Sequence, residues 1–421
     1  MKKSISTKIK LNIDTPLLIS VLILVFIGIL SIYSANIMKP KYHNKYIKQI
    51  IFCIIGIAFF FVFLSIRYQR LSQFWIIILI LSNVILMITL VFARRIHGAK
   101  SWIFFFGQGV QPSEIVKLLT IVWYAKFLEN IGKKIKDIKW FLIALIAILP
   151  TIGLILLQPD FGTVLIYVPI MLSMMFVAGA DRKHLFLIIG IGLIGIGIPL
   201  ITFYSGEVLK LKKSVFLIFK KTSITLTIAL FTGAMAGIAY LLFKRFKEKF
   251  LQILMLILIC LSVGFTVSIA TKSFLKKHHY LRFLAFIDNK RIDPRGAGWN
   301  ISQSLTAIGA GGFNGQGFLK GSQKNGSFLP AQDTDFIFPV IAEEWGFKGS
   351  IIILILFTVL LYRGINVIFN SKDMIGSLIA TGIISMFFFH IVINIGMSAG
   401  IMPVMGVPLP FLSYGGSFLV T

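Results

Sequence analysis

The stretch PLLISVLILVFIGILSIYSA, residues 16–35, decides the fold. It carries no charge, and at about 1.5 Å per residue a helix over it reaches about 30 Å, the thickness of a bilayer's hydrocarbon core. Runs of the same kind recur along a 421-residue chain that is 57% hydrophobic and 14% charged. Backbone groups in lipid must find their hydrogen bonds within the protein, and at this hydropathy that means helices rather than a β-barrel. The expected fold class is all-α: a polytopic membrane helical bundle of about twelve segments.

The segments are placed at about 16–35, 47–65, 73–92, 113–129, 140–157, 160–180, 184–204, 223–243, 250–272, 336–362 and 374–400. A last one begins near 407 and breaks off at Thr421, so the final span is expected to be truncated. The basic start MKKSISTKIKLNIDTP precedes the first run without a small-residue cleavage site, which predicts an uncleaved first helix. Cys53 and Cys260 lie in apolar segments and predict no disulfide. The net charge of +27 is spread over short loops, where Lys and Arg set orientation and meet anionic headgroups. No basic helix with interleaved aromatics is present, so a nucleic-acid partner is not expected. With the N-terminus inside, the inner loops are the more basic, although LKLKKSVFLIFKK (209–221) on the outer side runs against that bias. This topology puts the long loop 273–335 outside. Its apolar pieces, YLRFLAFI and ISQSLTAIGA, predict an ordered loop with short helices on the membrane surface.

The chain has 15 acidic residues, few enough to weigh one by one. Asp14, Glu129, Asp137, Asp181, Glu248 and Asp373 sit with inner-loop charges and read as solvated charge balance. The others are Glu114, Asp160, Glu207, Asp288, Asp293, Asp333, Asp335, Glu343 and Glu344. In QPSEIVKLL, Pro112 and Ser113 read as a helix start, and the spacing of three puts Glu114 and Lys117 on one face. Ionisable groups at bilayer depth are rare and paired. This pair is either a lock between helices or the lining of a polar pocket. Asp160, in LLQPDFGT, stands at a break and can cap the next helix. Glu343 and Glu344 fall two turns into a span, and at least one is expected to face the interior. The six histidines form no metal-ligand spacing, and no GxxxxGK[ST] loop is present, which disfavours structural zinc and direct ATP hydrolysis.

Five segments taken in order resemble one family. They are GAKSWIFFFGQGVQPSEIVKL (98–118), QPDFGT (158–163), IDPRGAGWNISQSLTAIGAGGFNGQGF (292–318), GSQKNGSFLPAQDTDFIFPVIAEEWGFKGS (321–350) and NIGMSAGIMPVMGVPLPFLSYGGS (394–417). The chain resembles the SEDS (shape, elongation, division, sporulation) proteins. Its GSQ at 321–323, NIGM at 394–397 and GVPLP at 406–410 favour the RodA-like, rod-shape-determining branch over the division paralogue. The resemblance implies a peptidoglycan glycosyltransferase for cell elongation. Such an enzyme polymerises lipid II, an undecaprenyl-diphosphate-linked disaccharide-pentapeptide, at the outer face of the cytoplasmic (inner) membrane. The implied partners are a class B penicillin-binding protein, which is the crosslinking transpeptidase, and other elongation-complex proteins. The family's essential acid, the Asp before Pro in the fourth outer loop, falls on Asp293. Three departures stand out. The family's Arg before the Trp of the first motif is Ser101, with Lys100 adjacent. The His of its HTDF motif is Asp333. Its ten spans become about twelve, the extra helical pair lying near 205–270 as an insertion into a single membrane domain, 1–421.

The implied chemistry needs only one carboxylate. A lipid diphosphate leaves as a stabilised anion, so it calls for cations rather than a general acid, and one base takes the proton of the attacking hydroxyl. Asp293 is the candidate base. Arg291, Arg295, Lys117 or a divalent cation (Mg or Mn) are candidates to hold the diphosphate, and those same charges keep Asp293 ionised. The remaining pocket candidates are Glu114, Lys100, Gln111, Ser113, Gln158, Asp160, Gln303, Ser304, Asp335, Glu343 and Ser413. Two other readings stay open at this point: a lipid II flippase, and a non-catalytic scaffold of the cell-wall machinery.

Overall fold

The computed structural model describes residues 14–420, apart from 40, 41, 43, 97, 98, 106, 107, 212–214, 276, 288–291, 293–295 and 327. The first helix, α1 (Thr15–Asn36), starts where Asp14 caps it, its Oδ1 accepting from the Leu17 amide at 3.1 Å. Then follow α2 (Lys45–Ser65), the short α3 (Tyr68–Gln73) and α4 (Trp75–Phe92). Three strands come next, β1 (Arg94–Ile96), β2 (Ala99–Phe105) and β3 (Gln108–Val110). They form one antiparallel sheet in the order β1-β2-β3. The helices α5 (Pro112–Ile131), α6 (Ile138–Leu157), α7 (Phe161–Val177) and α8 (Arg182–Phe203) lead to the pair α9 (Thr222–Phe246) and α10 (Lys249–Phe274). The long loop holds α11 (Lys277–Leu284), α12 (Ala297–Gly311) and α13 (Ser322–Asn325). The chain closes with α14 (Ile337–Asn370), α15 (Met374–Ser398) and α16 (Gly416–Val420).

Among the described residues nine helices are long and apolar enough to cross a membrane. The helix α5 has the length of a span but carries Glu114, Lys117, Lys126 and Glu129, and α7 is a shorter apolar helix. Each of the first eleven expected segments therefore lands on one helix, and the chain is an all-α multi-pass membrane bundle. One expectation needs correction. The hydropathic run from 407 is not a helix from its start. Pro403, Pro408 and Pro410 remove backbone donors, Gly406 has φ 69°, and residues 403–409 form a strap that is neither helix nor strand, followed by a turn before α16 begins at Gly416. The sheet at 94–110 is a local addition that the all-α expectation passed over. There the β-favouring run SWIFF lies in β2, which pairs with β1 on one side and β3 on the other.

Helices in lipid gain little from hydrophobic burial against each other, so close approach and internal hydrogen bonds hold the bundle. One buried cluster joins α5, α6, α7 and α15 through Trp123, Tyr124, Phe141, Met174 and Leu378. A second joins α1, the start of α14 and the strap through Leu24, Ile32, Ile337, Val340, Leu409 and Leu412. The strap fits because α7 offers it no side chain at Gly162, where a Cβ would stand 2.5 Å from the Met405 carbonyl. At the far end of α1, Arg363 of α14 grips Asp14 through Nε and a terminal nitrogen, at 2.8 and 2.6 Å to Oδ2.

Candidate functional site

The site grows from two helix starts. Pro112 sits in the first turn of α5, where its missing N–H costs nothing, and Glu114 follows in that turn. Asp160 caps α7, accepting the Thr163 amide at 3.2 Å through Oδ1. The side chain of Gln111 bridges the two starts, donating to Asp160 Oδ2 at 2.7 Å. One turn into α5, Lys117 Nζ lies 2.8 Å from Glu114 Oε2, with the Lys117 side chain 1% exposed. The same ammonium lies 3.1 Å from Nε2 of His390 on α15. The other ring nitrogen, Nδ1, lies 3.1 Å from the Pro408 carbonyl of the strap. A carbonyl can only accept, so Nδ1 carries the proton and Nε2 accepts from Lys117. One lysine is thus held between a carboxylate and a neutral imidazole.

These groups wall a cavity of about 30 Å³, closed by Gly162, Thr163 and Ile166 of α7 and by Gly406–Pro408. Its size suits one or two waters or a small anionic group's oxygen atoms. Asp335 borders the same wall: a Cβ on Gly406 would stand 3.6 Å from its Oδ2. Burial, helped by the Asp333 carboxylate and opposed by Arg282, pushes the Asp335 carboxyl up to about 6. Asn394 of α15 ties this turn to the strap, donating to the Asp335 carbonyl at 2.9 Å and to the Val407 carbonyl at 2.7 Å.

The structure brings Gln111, Glu114, Lys117 and Asp160 together, with Asp335 at the border. The other candidates stand elsewhere. Ser113 is buried beside Glu114, and its hydroxyl faces no partner. Gln158 donates to the Leu86 carbonyl at 3.2 Å and receives the Lys100 amide at 3.0 Å. The Lys100 ammonium turns away to the Val91 carbonyl. Ser304 pins α12 to the end of α15 through the Ser398 carbonyl at 2.6 Å, and Gln303 is half-buried next to it. Ser413 braces the strap, donating to the Thr334 carbonyl and accepting from the Leu409 amide.

Glu343 is turned away from the cavity. It accepts from Ser322 Oγ and from the amides of Gln323 and Lys324, at 3.1, 2.7 and 3.4 Å, and so caps α13. Glu344 pairs with buried Lys324 and accepts the Leu319 amide at 3.1 Å. Asp333, the departure from the family's His, pairs with Lys45, whose ammonium also lies over the rings of Tyr42 and Tyr414. Asp293, Arg291, Arg295 and Asp288 lie outside the described residues. Ile292 is buried in the second core cluster, and α12 starts just beyond Gly296. Among the described residues no group of three His, Cys, Asp or Glu side chains is placed to hold a metal ion.

His390 was absent from the sequence-level candidates. Its signal was there: a single ionisable residue inside ISMFFFHIVINIGM.

The family model for FtsW/RodA/SpoVE, described as cell cycle protein, matches residues 14–222 and 215–421. A protein named peptidoglycan glycosyltransferase RodA from Treponema pallidum (strain Nichols) is 35% identical over 423 residues, covering 97% of this chain and 95% of its own length. Stage V sporulation protein E of Bacillus subtilis (strain 168) is 32% identical over 418 residues, covering 97% of this chain and 94% of its own. A chain from a solved structure titled "Structural coordination of polymerization and crosslinking by a peptidoglycan synthase complex" superposes with a TM-score of 0.68 at 26% identity, covering 97% of this chain and 94% of that one. Matched along nearly its whole length by the family model and by relatives above 30% identity, the chain belongs to the FtsW/RodA/SpoVE family of cell cycle proteins.

Proposed function

We propose that this protein is an inverting peptidoglycan glycosyltransferase that polymerises lipid II at the outer face of the cytoplasmic membrane. The observation that carries the reading is the cavity in which Lys117 is held by Glu114 and neutral His390, beside the Gln111–Asp160 bridge. The relatives' names, which include peptidoglycan glycosyltransferase, point the same way.

A buried ammonium with a carboxylate on one side offers a diphosphate a ready cation. The anion displaces Glu114 from part of the lysine's hydrogen-bonding capacity, while His390 keeps Nζ aimed into the cavity. In the reaction, the acceptor sugar's 4-hydroxyl oxygen bonds to the donor's anomeric carbon. The bond from that carbon to the diphosphate oxygen breaks, and the configuration inverts. Asp293 takes the hydroxyl proton, and the lipid diphosphate leaves with the electron pair. Arg291 and Arg295, which flank Asp293 in the sequence, are the further candidates to hold the diphosphate. No step here is built on a metal ion.

A class B penicillin-binding protein that crosslinks the new strands is the partner this reading implies, together with other elongation-complex proteins. The solved relative from a complex coordinating polymerisation with crosslinking supports it.

The test is lipid II polymerisation by the purified protein. Asp293→Asn is expected to lose about 100-fold or more, the usual contribution of a positioned base. Asp288→Asn, five residues away, is expected to keep near-normal activity. Glycan chains formed equally by Asp293→Asn would remove Asp293 from the mechanism. Translocation of lipid II in vesicles without any glycan product would replace the polymerase reading with a flippase.

A further inference from the structure

A second cavity lies at the other end of α7. It is a groove of about 390 Å³ between α7, α8 and α15, lined by Leu172, Phe176, Phe186 and Phe389 among others. Phe176 and Phe186 are 52% and 71% exposed on the outside of a bundle whose helices are membrane spans, so the groove opens to hydrocarbon. Its few polar walls are already satisfied. Ser173 and Ser385 share a hydrogen bond at 3.0 Å, Ser385 also donates to the Pro169 carbonyl, and Thr381 donates to the Ser377 carbonyl of its own helix. The exception is Arg182, the first residue of α8, which stands at the groove's mouth. Among the described residues no ion pair forms to it.

An apolar slot with one unpaired cation at its mouth matches one kind of molecule. A cavity of about 150 Å³ takes a benzene ring, so the volume here takes on the order of 15 carbons of chain. We propose that the α7–α8–α15 groove binds one acyl chain of an anionic phospholipid, with the lipid phosphate on Arg182. The leaflet follows from the helix. Asp160 starts α7 and Arg182 stands past its end, and 17 residues of helix set them roughly 25 Å apart. The lipid on Arg182 therefore belongs to the leaflet opposite the Lys117 cavity, which separates it from a substrate diphosphate held at that cavity. The groove is walled by α7 and α15, the helices that carry Asp160 and His390, so its occupant sets the spacing on which the other cavity depends.

The experiment is native mass spectrometry of the full-length protein in detergent with added phosphatidylglycerol or phosphatidylcholine of identical chains. One phosphatidylglycerol is expected to be retained about fivefold more strongly, the usual effect of one basic residue near a lipid phosphate. Arg182→Gln is expected to abolish the preference, and Lys183→Gln, the neighbouring exposed cation, to keep it. Leu172→Trp, which fills the slot, is expected to weaken retention of both lipids. Equal preference in Arg182→Gln and wild type, or undiminished retention in Leu172→Trp, would overturn the proposal. Displacement of the bound phosphatidylglycerol by one equivalent of undecaprenyl phosphate would overturn it too, by assigning the groove to the prenyl chain.

Discussion

His390 matters through the nitrogen that lacks a proton. Its Nε2 accepts from Lys117 because the Pro408 carbonyl fixes the proton on Nδ1. A residue that offers an acceptor from the same place keeps Lys117 aimed, and one that offers none does not. His390→Gln is therefore expected to retain most polymerase activity, while His390→Leu loses roughly tenfold or more, the cost of a charged group's missing partner. The expected loss in His390→Leu appears as a raised KM for lipid II. Loss of kcat alone, with no rescue by Gln, would give His390 a packing role. The swap Glu114→Lys with Lys117→Glu tests the same network. It preserves the pair but presents a carboxylate to His390 Nε2, so it is expected to be inactive, and full activity would make the pair a lock between helices. Asp335 gives a pH signature. Its carboxyl titrates near 6 in the fold against an ordinary 3.8, so the fold favours the protonated form. That contribution is fully present below about 3.8 and is lost as pH rises through about 6. Asp335→Asn is expected to raise Tm relative to wild type at pH 8, by up to about 3 kcal/mol of stability, and to leave it unchanged at pH 4. Equal Tm values at both pH settings would show that the carboxyl is solvated.

At the scale of elements, the start of α14 is where the long loop is fastened. Glu343 caps α13, Glu344 pairs with Lys324, and Gly346 breaks the helix direction at φ 67°, where a Cβ would collide with the Gly315 amide. Both partners of the Lys324–Glu344 pair are 1% exposed, so neither charge has water to fall back on. Lys324→Met alone is expected to cost about 3–5 kcal/mol, and adding Glu344→Leu to recover most of it. Hydrogen exchange over 312–326 checks the assignment, since this loop should loosen in the single variant. A single variant as stable as wild type would show that Glu344 is not charged there. The sequence placed at least one of these acids facing inward, but not toward what. The partners of Glu344 (Ser34, Leu319 and Lys324) come from one distant helix and from the long loop, and those of Glu343 from the same loop. The strap shows the opposite failure. MPVMGVPLPFLSY reads as apolar as a span, and only its prolines say that it cannot close a helical ladder.

For the whole molecule, hydropathy alone located the spans, because a bilayer demands the same length of apolar chain from each one. The site was half legible. Glu114, Lys117 and Asp160 stood out as charges in apolar surroundings, but the Lys117–His390 contact joins residues 273 apart and leaves no mark in local spacing. Where α9 and α10 enter, the family model matches in two stretches that meet at 215–222, at the start of α9. The strap that closes the cavity has one further consequence, for the protein's synthesis. Glu114 and Lys117 enter the membrane before His390 and Gly406–Pro408 are translated, about 15–60 s later at ordinary rates of elongation. Through that interval the nascent chain holds a buried ion pair with no imidazole and no lid. An insertion factor that shelters charged helices would then be needed for α5 in particular, and a ribosome stalled before codon 406 would leave an inserted bundle with its cavity unroofed.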